Sequence, residues 1–289
     1  MNEVAAKPGY EEIEHEVVPP LGEGELLAPD YAVANHINRG RALDVYEVWS
    51  EERACRCVAK VLRPDRIEHR RARASLLREG RILKRLTHLH IVRAYEILEK
   101  PQPTVILEAL TGSTLMYLIA VHRRRRLPLF TLVFLGLHLC SAMHYLHRQG
   151  LLHLDLKPSN IVATQGIAKV IDLSIARPPG RARRRGIGTR QYMAPEQARG
   201  GLLSEATDVW GIGAVLFHAT TGRRPFEAET GRTYQQLERR ADPVRAHRRV
   251  PAAFGTAVDR CLDPEPSRRP TVDELTELLN ALAHERSWL

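Results

Sequence analysis

The sequence predicts an α+β protein in which a strand-rich first part is followed by a mostly helical second part. Short β-prone runs, such as residues 45–49 and 57–62, are separated by turns containing Asn, Gly and Arg, which indicates an antiparallel sheet. After Gly112 the pattern changes to long runs with helical spacing, such as residues 130–148. With 289 residues and 44% apolar content, the chain can bury the core of one large domain or of two lobes.

One main helix is expected inside the strand-rich part. Three leucines recur at helical spacing within residues 66–86, and Glu79 lies on the same stripe. A carboxylate on an apolar face needs a positive partner, because a buried unpaired charge is strongly destabilising. Strand-like runs follow at residues 91–98 and 104–108, so strands lie on both sides of this helix along the chain.

The first 28 residues differ from the rest in charge and composition. They contain seven Glu and one Lys, with Pro19-Pro20, Gly22 and Gly24 among them, which predicts a flexible acidic tail. Subtracting the tail's −6 from the net charge of +9 leaves about +15 on the remainder. Such a basic body attracts nucleic acid, anionic lipid or acidic protein segments, and charge alone does not choose among them.

Cysteine usage and the N-terminus predict a cytoplasmic protein. Cys55 and Cys57 have no second pair to complete a zinc site, so ordinary strand thiols are the favoured interpretation, and no secreted-type disulfide framework is visible. The acidic N-terminus lacks the basic region and apolar core of a signal peptide. The longest apolar run, residues 127–140, is interrupted by Gly136 and His138 and is predicted to be too short to span a membrane.

Three short segments carry the strongest functional signal, and their order along the chain matters. They are residues 153–160 (HLDLKPSN), 170–174 (VIDLS) and 193–196 (MAPE). Together they resemble the catalytic loop, metal-binding motif and activation-segment end of eukaryotic-type (Hanks-type) serine/threonine protein kinases of the bacterial branch. The resemblance covers residues 29–285. It implies a two-lobed protein kinase fold at residues 29–289, with a small antiparallel-sheet lobe at 29–109 and a larger, mostly helical lobe at 110–289.

The resemblance also implies the chemistry, which is transfer of the γ-phosphoryl group of ATP to protein hydroxyls with Mg²⁺. By resemblance, Asp155 orients the substrate hydroxyl and Lys157 neutralises charge on the transferred group. Asn160 and Asp172 supply hard oxygen ligands for Mg²⁺. A polar loop residue or a strand-end cap explains each of these alone, but the joint spacing favours the catalytic interpretation.

Further positions are expected to contact the nucleotide. The run Val58-Ala59-Lys60 resembles the strand lysine that holds the inner phosphates, and Lys60 would pair with Glu79. An ordinary strand-to-helix connection explains residues 108–112 equally well locally. The other expected nucleotide-binding residues are Gly40, Val45, Ala59, Leu107, Glu108, Leu110 and Asn160.

Two further matches are structural. Asp208, in Thr207-Asp208-Val209-Trp210-Gly211, resembles the residue that fastens the backbone of the catalytic loop. Glu196 and Arg269 resemble the buried ion pair beneath the activation segment, which we define as residues 172–196.

The glycine-rich loop is the poorest match, because its pattern falls on Asn38, Gly40, Leu43 and Val45 and retains only the middle glycine. A pseudokinase scaffold with weak or no turnover is therefore the main alternative. A basic nucleic-acid-binding module is a third interpretation, but it leaves the carboxylate constellation unexplained, so nucleic acid is not expected as a partner.

The activation segment also departs from the family pattern. Leu154 replaces an arginine that commonly receives a phosphate, and the only Ser or Thr residues between Asp172 and Glu196 are Ser174 and Thr189. We therefore predict that activation does not require phosphorylation of this segment. Its arginines suggest protein substrates with acidic flanks, although a solvated surface is an equal alternative. They are Arg181, Arg183, Arg184, Arg185 and Arg190. A separate hypothesis is that the acidic tail competes with substrate.

Overall fold

The computed structural model describes residues 18–122, 126–227 and 234–284. A six-stranded antiparallel sheet in the order β1-β2-β3-β4-β6-β5 forms the first lobe. Its strands are Leu26–Ala28 (β1), Tyr31–Arg39 (β2), Leu43–Ser50 (β3), Cys55–Leu62 (β4), Ala94–Leu98 (β5) and Thr104–Glu108 (β6).

Helix α1 (Arg70–Arg85) packs against this sheet, as the leucine stripe predicts. Its buried residues include Leu76, Leu83 and Glu79, while the arginines and lysine of the helix lie on its other faces. The helix has no side chain at Gly80, where a Cβ would lie 2.7 Å from Val105 of β6. The glycine therefore lets α1 approach the sheet closely, and this approach brings Glu79 to the sheet surface.

Helices form most of the second lobe. They are Leu115–Val121 (α2), Leu129–Arg148 (α3), Pro195–Arg199 (α4), Glu205–Thr221 (α5), Val244–His247 (α6), Ala252–Cys261 (α7) and Val272–His284 (α8). Two small antiparallel sheets complete this lobe. Their strands are Ser113–Thr114 (β7), Ile161–Thr164 (β8), Ile167–Val170 (β9), Gly180–Arg181 (β10) and Leu202–Leu203 (β11).

The long helix α3 corrects the sequence estimate of the apolar run. Gly136 and His138 do not interrupt it, so α3 is 20 residues long and has the length and composition that could cross a membrane. Half of the apolar window is buried inside the protein, and α3 packs against α5 and α8. A core helix meets the same criterion, so this one helix is weak evidence for a span. At Gly136 a Cβ would lie 2.7 Å from Leu279 of α8, which explains why a glycine occurs in this helix.

The sheet begins earlier than the sequence analysis expects. Residues 26–28 form β1 and pair with β2, and Leu27 and Ala28 are buried in the core of the first lobe. Gly24 N–H donates to the carbonyl of Val33 at 2.8 Å. The prediction of a flexible tail is therefore wrong for residues 24–28, and residues 1–17 lie outside the described residues.

Candidate active site

The ion pair expected for Glu79 is present. Lys60 Nζ in β4 lies 2.6 Å from Glu79 Oε1 in α1 and 3.8 Å from Asp172 Oδ2 at the start of the activation segment. Glu79 Oε1 also accepts a hydrogen bond from the backbone N–H of Leu173 at 3.3 Å. These contacts join the sheet, α1 and the activation segment at one point.

Burial and charge pairing shift the pKa values of this cluster in different directions, and burial raises the pKa of Glu79 despite the nearby Lys60 ammonium. Burial by itself lowers the pKa of Lys60, but the carboxylates of Glu79 and Asp172 offset this effect and raise the pKa above its usual 10.5. Burial by itself raises the pKa of Asp172, but the Lys60 ammonium and the hydrogen bond from Ser174 hold it below 3.8. The cluster thus combines one ammonium with an ionised carboxylate that is partly open to the cleft.

The catalytic-loop residues form a second cluster. Asp155 Oδ1 accepts from Thr189 Oγ1 at 2.7 Å and from Thr189 N at 2.8 Å, and Asp155 Oδ2 accepts from Lys157 Nζ at 2.8 Å. Lys157 Nζ also donates to Thr189 Oγ1 at 2.9 Å. Lys157 and Thr189, which lie 32 residues apart in the chain, therefore fix the orientation of the Asp155 carboxylate.

Asn160 connects the two clusters, because its backbone carbonyl accepts a hydrogen bond at 3.0 Å from the N–H of Ile171, the residue before Asp172. Its Nδ2 donates to the backbone carbonyl of Asp155 at 3.0 Å and weakly to Asp155 Oδ2 at 3.4 Å. Because the amide nitrogen is committed to Asp155, the amide oxygen of Asn160 is the atom that remains to coordinate a cation. In the described part of the chain, no group of three or more His, Cys, Asp or Glu side chains could hold a metal by itself.

A pair of oxygen ligands, one amide and one carboxylate, fits Mg²⁺ better than a softer metal. Mg²⁺ is usually bound through one or two protein oxygens together with phosphate oxygens and water, rather than in a complete protein cage. The amide oxygen of Asn160 and the carboxylate of Asp172 are oxygen donors of this kind, and Lys60 lies 3.8 Å from Asp172.

Asp208 at the start of α5 holds the catalytic-loop backbone. Its two carboxylate oxygens accept hydrogen bonds from the N–H groups of His153 and Leu154, both at 2.8 Å, and one of them lies 2.9 Å from His147 Nε2. Leu154 has φ 69°, a left-handed conformation that a leucine rarely adopts. The buried carboxylate stabilises this strained backbone immediately before Asp155.

Burial lowers the pKa of His153, the first residue of the catalytic loop, so the imidazole is neutral. Its Nδ1 accepts a hydrogen bond from Asp155 N at 3.1 Å. The ring therefore supports the backbone of Asp155 from the other side.

Comparison with known proteins identifies the family. A protein kinase domain model matches residues 31–280. The chain belongs to the protein kinase family. It is 30% identical over 281 residues to the DNA damage-responsive serine/threonine-protein kinase RqkA of Deinococcus radiodurans, covering 93% of this chain and 42% of that protein. It is 31% identical over 241 residues to a probable serine/threonine-protein kinase, PknB of Bifidobacterium longum, covering 76% of this chain and 34% of that protein.

The kinase fold also has a structural counterpart. The kinase domain of Mycobacterium tuberculosis PknI matches with a TM-score of 0.72 at 23% identity, covering 92% of this chain and 100% of that structure. The predictions of the protein kinase fold and family are thus confirmed. The chain spans less than half the length of RqkA and of PknB.

The strand register decides which expected nucleotide contacts face the kinase cleft. Val45, Lys60 and Val105 lie directly opposite one another on β3, β4 and β6 and therefore share one face of the sheet. Val58 is paired with Leu107, two residues along on the same face. Val45 and Leu107 therefore lie on the same face of the sheet as Lys60, and their contact with a nucleotide stays a prediction.

Ala59 is not placed as expected. It pairs with Tyr46 and Ile106 on the opposite face, and all three are buried in the separate core of the small lobe. Successive side chains of a strand alternate between faces, so Val58 rather than Ala59 accompanies Lys60 in the cleft. Residues two apart in a strand lie on the same face, so counting back two residues from Lys60 could have identified Val58 from the sequence.

In the connector between the lobes, the side chain of Glu108 and the backbone of Leu110 differ in their contacts. Glu108 Oε1 accepts from Lys169 Nζ at 2.6 Å and from Arg93 N at 2.9 Å, and Glu108 N–H donates to the carbonyl of Arg93. The Glu108 side chain therefore joins β6 to β9 and is not available to a nucleotide. Within the described residues, the N–H of Leu110 donates no hydrogen bond, so this backbone group can bind a ligand.

The glycine-poor loop of this kinase is held by an ion pair. Arg39 donates two hydrogen bonds to Asp44, at 2.8 and 2.9 Å, and Asp44 is 1% exposed. Gly40 N–H donates to Leu43 O at 2.7 Å, and Arg63 reaches back to the carbonyl of Gly40. The β2–β3 hairpin therefore has a defined shape without the missing glycines, and the sequence analysis did not identify the Arg39–Asp44 pair.

The expected ion pair beneath the activation segment is also formed. Arg269 Nη1 and Nη2 lie 2.7 and 2.9 Å from the two oxygens of Glu196, and the Arg269 side chain is completely buried. The remaining guanidinium donors bind backbone carbonyls, and the group stacks over Trp210.

Apolar contacts occupy the position where many kinases have an arginine. Leu154 is buried in a small cluster with Leu152 and Leu203, and residues of the activation segment pack against it. These residues are Ile175, Ala182 and Ile187. We call this group the activation-segment cluster. It attaches the segment to the catalytic loop through hydrophobic contacts.

Proposed function

We propose that this chain is a catalytically active serine/threonine protein kinase domain that transfers the γ-phosphoryl group of ATP to protein hydroxyls. One observation supports the proposal above all: Lys60 contacts Asp172, Asn160 contacts Asp155, and a backbone hydrogen bond from the N–H of Ile171 to the carbonyl of Asn160 links the two pairs. The names of the bacterial relatives support serine or threonine as the acceptor.

The residues divide the work of phosphoryl transfer, which depends mainly on positioning and on electrostatic stabilisation. Lys60, fixed by Glu79, binds the inner phosphates. Asn160 and Asp172 would hold Mg²⁺, which supplies charge neutralisation on the phosphate oxygens when bound. Asp155 orients the substrate hydroxyl and accepts its proton, and Lys157 lies where it can neutralise charge on the transferred group. Val45, Val58 and Leu107 form apolar contacts to the adenine, which hydrogen-bonds Leu110.

The pseudokinase alternative has little support in the geometry. A scaffold has no chemical need for the Lys60–Glu79 pair or for the hydrogen bonds that orient Asp155, and these contacts support the active alternative. The degraded glycine loop, its best argument, is compensated in part by the Arg39–Asp44 pair.

A direct assay tests the function. Purified protein with ATP and Mg²⁺ is expected to transfer phosphate to a Ser/Thr peptide library, and Asp172→Asn is expected to abolish transfer because it removes a charged metal ligand. Asp273→Asn, at an exposed carboxylate on α8, is the matched control and is expected to retain full activity. Absence of transfer by the parent protein, with folding verified, would establish the scaffold alternative.

Two finer proposals concern regulation and substrates. The activation-segment cluster supports the proposal that activity does not require phosphorylation of this segment, so phosphatase-treated protein is expected to keep its kcat. The proposal would be contradicted if phosphatase treatment lowered kcat and autophosphorylation at Thr189 restored it.

Not all of the activation-segment arginines are equally available to bind acidic residues that flank the substrate hydroxyl. Arg190 stacks on Tyr234 with its guanidinium 5.3 Å from the ring centroid, and Arg185 packs against Gly200. Arg181, Arg183, Arg184 and Arg185 are exposed and remain the candidates for binding acidic flanks, and a peptide library without acidic preference would exclude them. The cytoplasmic location remains a prediction from sequence.

A further inference from the structure

A basic cleft lies between α1 and the first half of the activation segment, beside the catalytic cleft. Its volume is about 780 Å³. Five arginines line it, two from α1 and three from the activation segment: Arg71, Arg78, Arg177, Arg183 and Arg184. Apolar side chains also line it, namely Ile82, Leu151, Ile175 and Ile187. We call this site the basic cleft.

The positive charge of the basic cleft is unbalanced in the described part of the protein. No Asp or Glu among the described residues lines it, and none of its five guanidinium groups forms an ion pair with a described carboxylate. Other arginines of the first lobe do have such partners, for example Arg39 with Asp44 and Arg63 with Asp65.

One arginine of the cleft has an unsatisfied donor. Arg177 Nη2 donates to the carbonyl of Arg181, but Arg177 Nη1 is buried and has no hydrogen-bond partner among the described residues. A buried donor without a partner is destabilising, and gathering five like charges adds repulsion. Both effects favour binding of an anionic ligand.

The basic cleft is coupled to the catalytic cluster. Arg78 Nη2 donates to the carbonyl of Ser174 at 2.6 Å, which joins α1 to the segment two residues after Asp172. Arg78 precedes Glu79, the partner of Lys60. An anion that neutralises the basic cleft therefore stabilises the arrangement in which Lys60 and Glu79 are paired.

The sequence of this chain contains a segment with matching chemistry. Residues 11–17 read EEIEHEV, in which Glu12, Glu14 and Glu16 alternate with Ile13, His15 and Val17. An extended peptide of this sequence would present the carboxylates of Glu12, Glu14 and Glu16 along one edge, and Ile13 and Val17 with His15 between them along the other. That pattern complements arginine walls combined with isoleucine and leucine side chains. This segment lies outside the described residues.

The attachment point of the segment permits this contact. The carbonyl of Val18, the first described residue, accepts from Arg39 Nη1 at 2.8 Å, in the same lobe as α1. Seventeen extended residues span at most about 60 Å, and a domain of this length has a radius of gyration of about 19 Å. The segment can therefore reach the basic cleft.

We propose that the basic cleft binds the acidic segment 11–17 of this chain and thereby holds α1 and the activation segment in the Lys60–Glu79 paired arrangement. The binding site is inferred from the charge and shape of the basic cleft, and only its effect on kcat rests on the proposed function. The segment then raises kcat, whereas a tail that competes with substrate would raise KM.

Disulfide trapping tests the binding without any need for kinase activity. In the 289-residue chain carrying Cys55→Ser to remove the exposed thiol, Glu14→Cys is combined with Ser75→Cys, because Ser75 lines the basic cleft. An intramolecular disulfide is expected to form at least about tenfold faster than with the control Ser141→Cys on α3, and high salt is expected to slow it. Equal rates at the two positions would overturn the proposal.

Charge exchange tests the consequence, using a substrate peptide with neutral flanks. Glu12→Arg/Glu14→Arg and Arg183→Glu/Arg184→Glu are each expected to lower kcat about tenfold with KM unchanged, and their combination is expected to restore most of the loss. Arg245→Glu/Arg249→Glu, at exposed arginines outside the cleft, is the matched control and is expected to have no effect. A combined variant no better than the separate ones, or a loss confined to KM, would refute the coupling. An inactive parent that still forms the disulfide rapidly would refute the proposed function but not the binding site.

Discussion

Removal of Glu196 would leave a buried cation without its partner. The Arg269 side chain has no exposed surface, and its two charged hydrogen bonds to Glu196 measure 2.7 and 2.9 Å. Arginine cannot lose its proton in a protein, so Glu196→Ala leaves a full positive charge in the core. Breaking a buried pair in this way costs about 3–5 kcal/mol. Two charged hydrogen bonds of roughly 1.5–3 kcal/mol each give the same order of magnitude.

Thermal and urea unfolding of Glu196→Ala would measure this loss. At roughly 2–4 °C per kcal/mol for a domain of this size, Tm is expected to fall by about 6–20 °C. The matched control is Arg240→Ala, which removes an exposed arginine that contacts Asp263 at 3.2 Å, and it should change stability by no more than about 1 kcal/mol. The reasoning would be refuted if both variants lost the same small amount of stability.

Two more predictions use the contacts of single side chains. Burial lowers the pKa of His218 to about 4, so the unfolded chain takes up a proton between pH 7.5 and 5 that the folded protein does not. The free energy of unfolding, measured in urea, should therefore fall as the pH is lowered over this interval. In His218→Gln the fall should be smaller by about 2 kcal/mol, because the variant lacks this imidazole. Thr189→Val removes a hydrogen bond to Asp155, and kcat should decrease about 10- to 100-fold with little change in Tm; an unchanged kcat would exclude a positioning role for the hydroxyl.

The sequence was most informative where function requires a residue type at a defined spacing. Glu79 is an example, because a carboxylate on an apolar stripe requires a cation, and Lys60 lies 2.6 Å from it. The three short segments were recognisable for the same reason. Their order indicated one cleft, although periodicity alone could not have shown that Asp155 and Thr189 would be in contact.

The sequence predictions were wrong where the position of a residue depends on the register of a strand or on one long-range contact. Ala59 and Val58 are both small apolar residues beside Lys60, and only the alternation of side chains in β4 separates them. The pairing of residues 26–28 with β2 depends on a partner strand, which glutamate and glycine content cannot reveal.

Charge patterns were the hardest to interpret from the sequence. The arginines of the activation segment appeared there as one patch, but the fold separates them. Arg190 stacks on Tyr234, whereas Arg183 and Arg184 join Arg71 and Arg78 from a helix about 100 residues earlier in the chain. Such convergence depends on tertiary structure and has no local signal.

The activation-segment cluster has a thermal consequence. A segment held by a phosphate and arginines becomes detached when salt is added or a phosphatase acts, but leucine and isoleucine contacts respond to neither. Hydrophobic attraction instead weakens on cooling, since the transfer of apolar groups out of water carries a large heat-capacity change. Order in the segment around Leu154 and Ile187 should therefore decline towards low temperature, and an Arrhenius plot of kcat should bend downward in the cold.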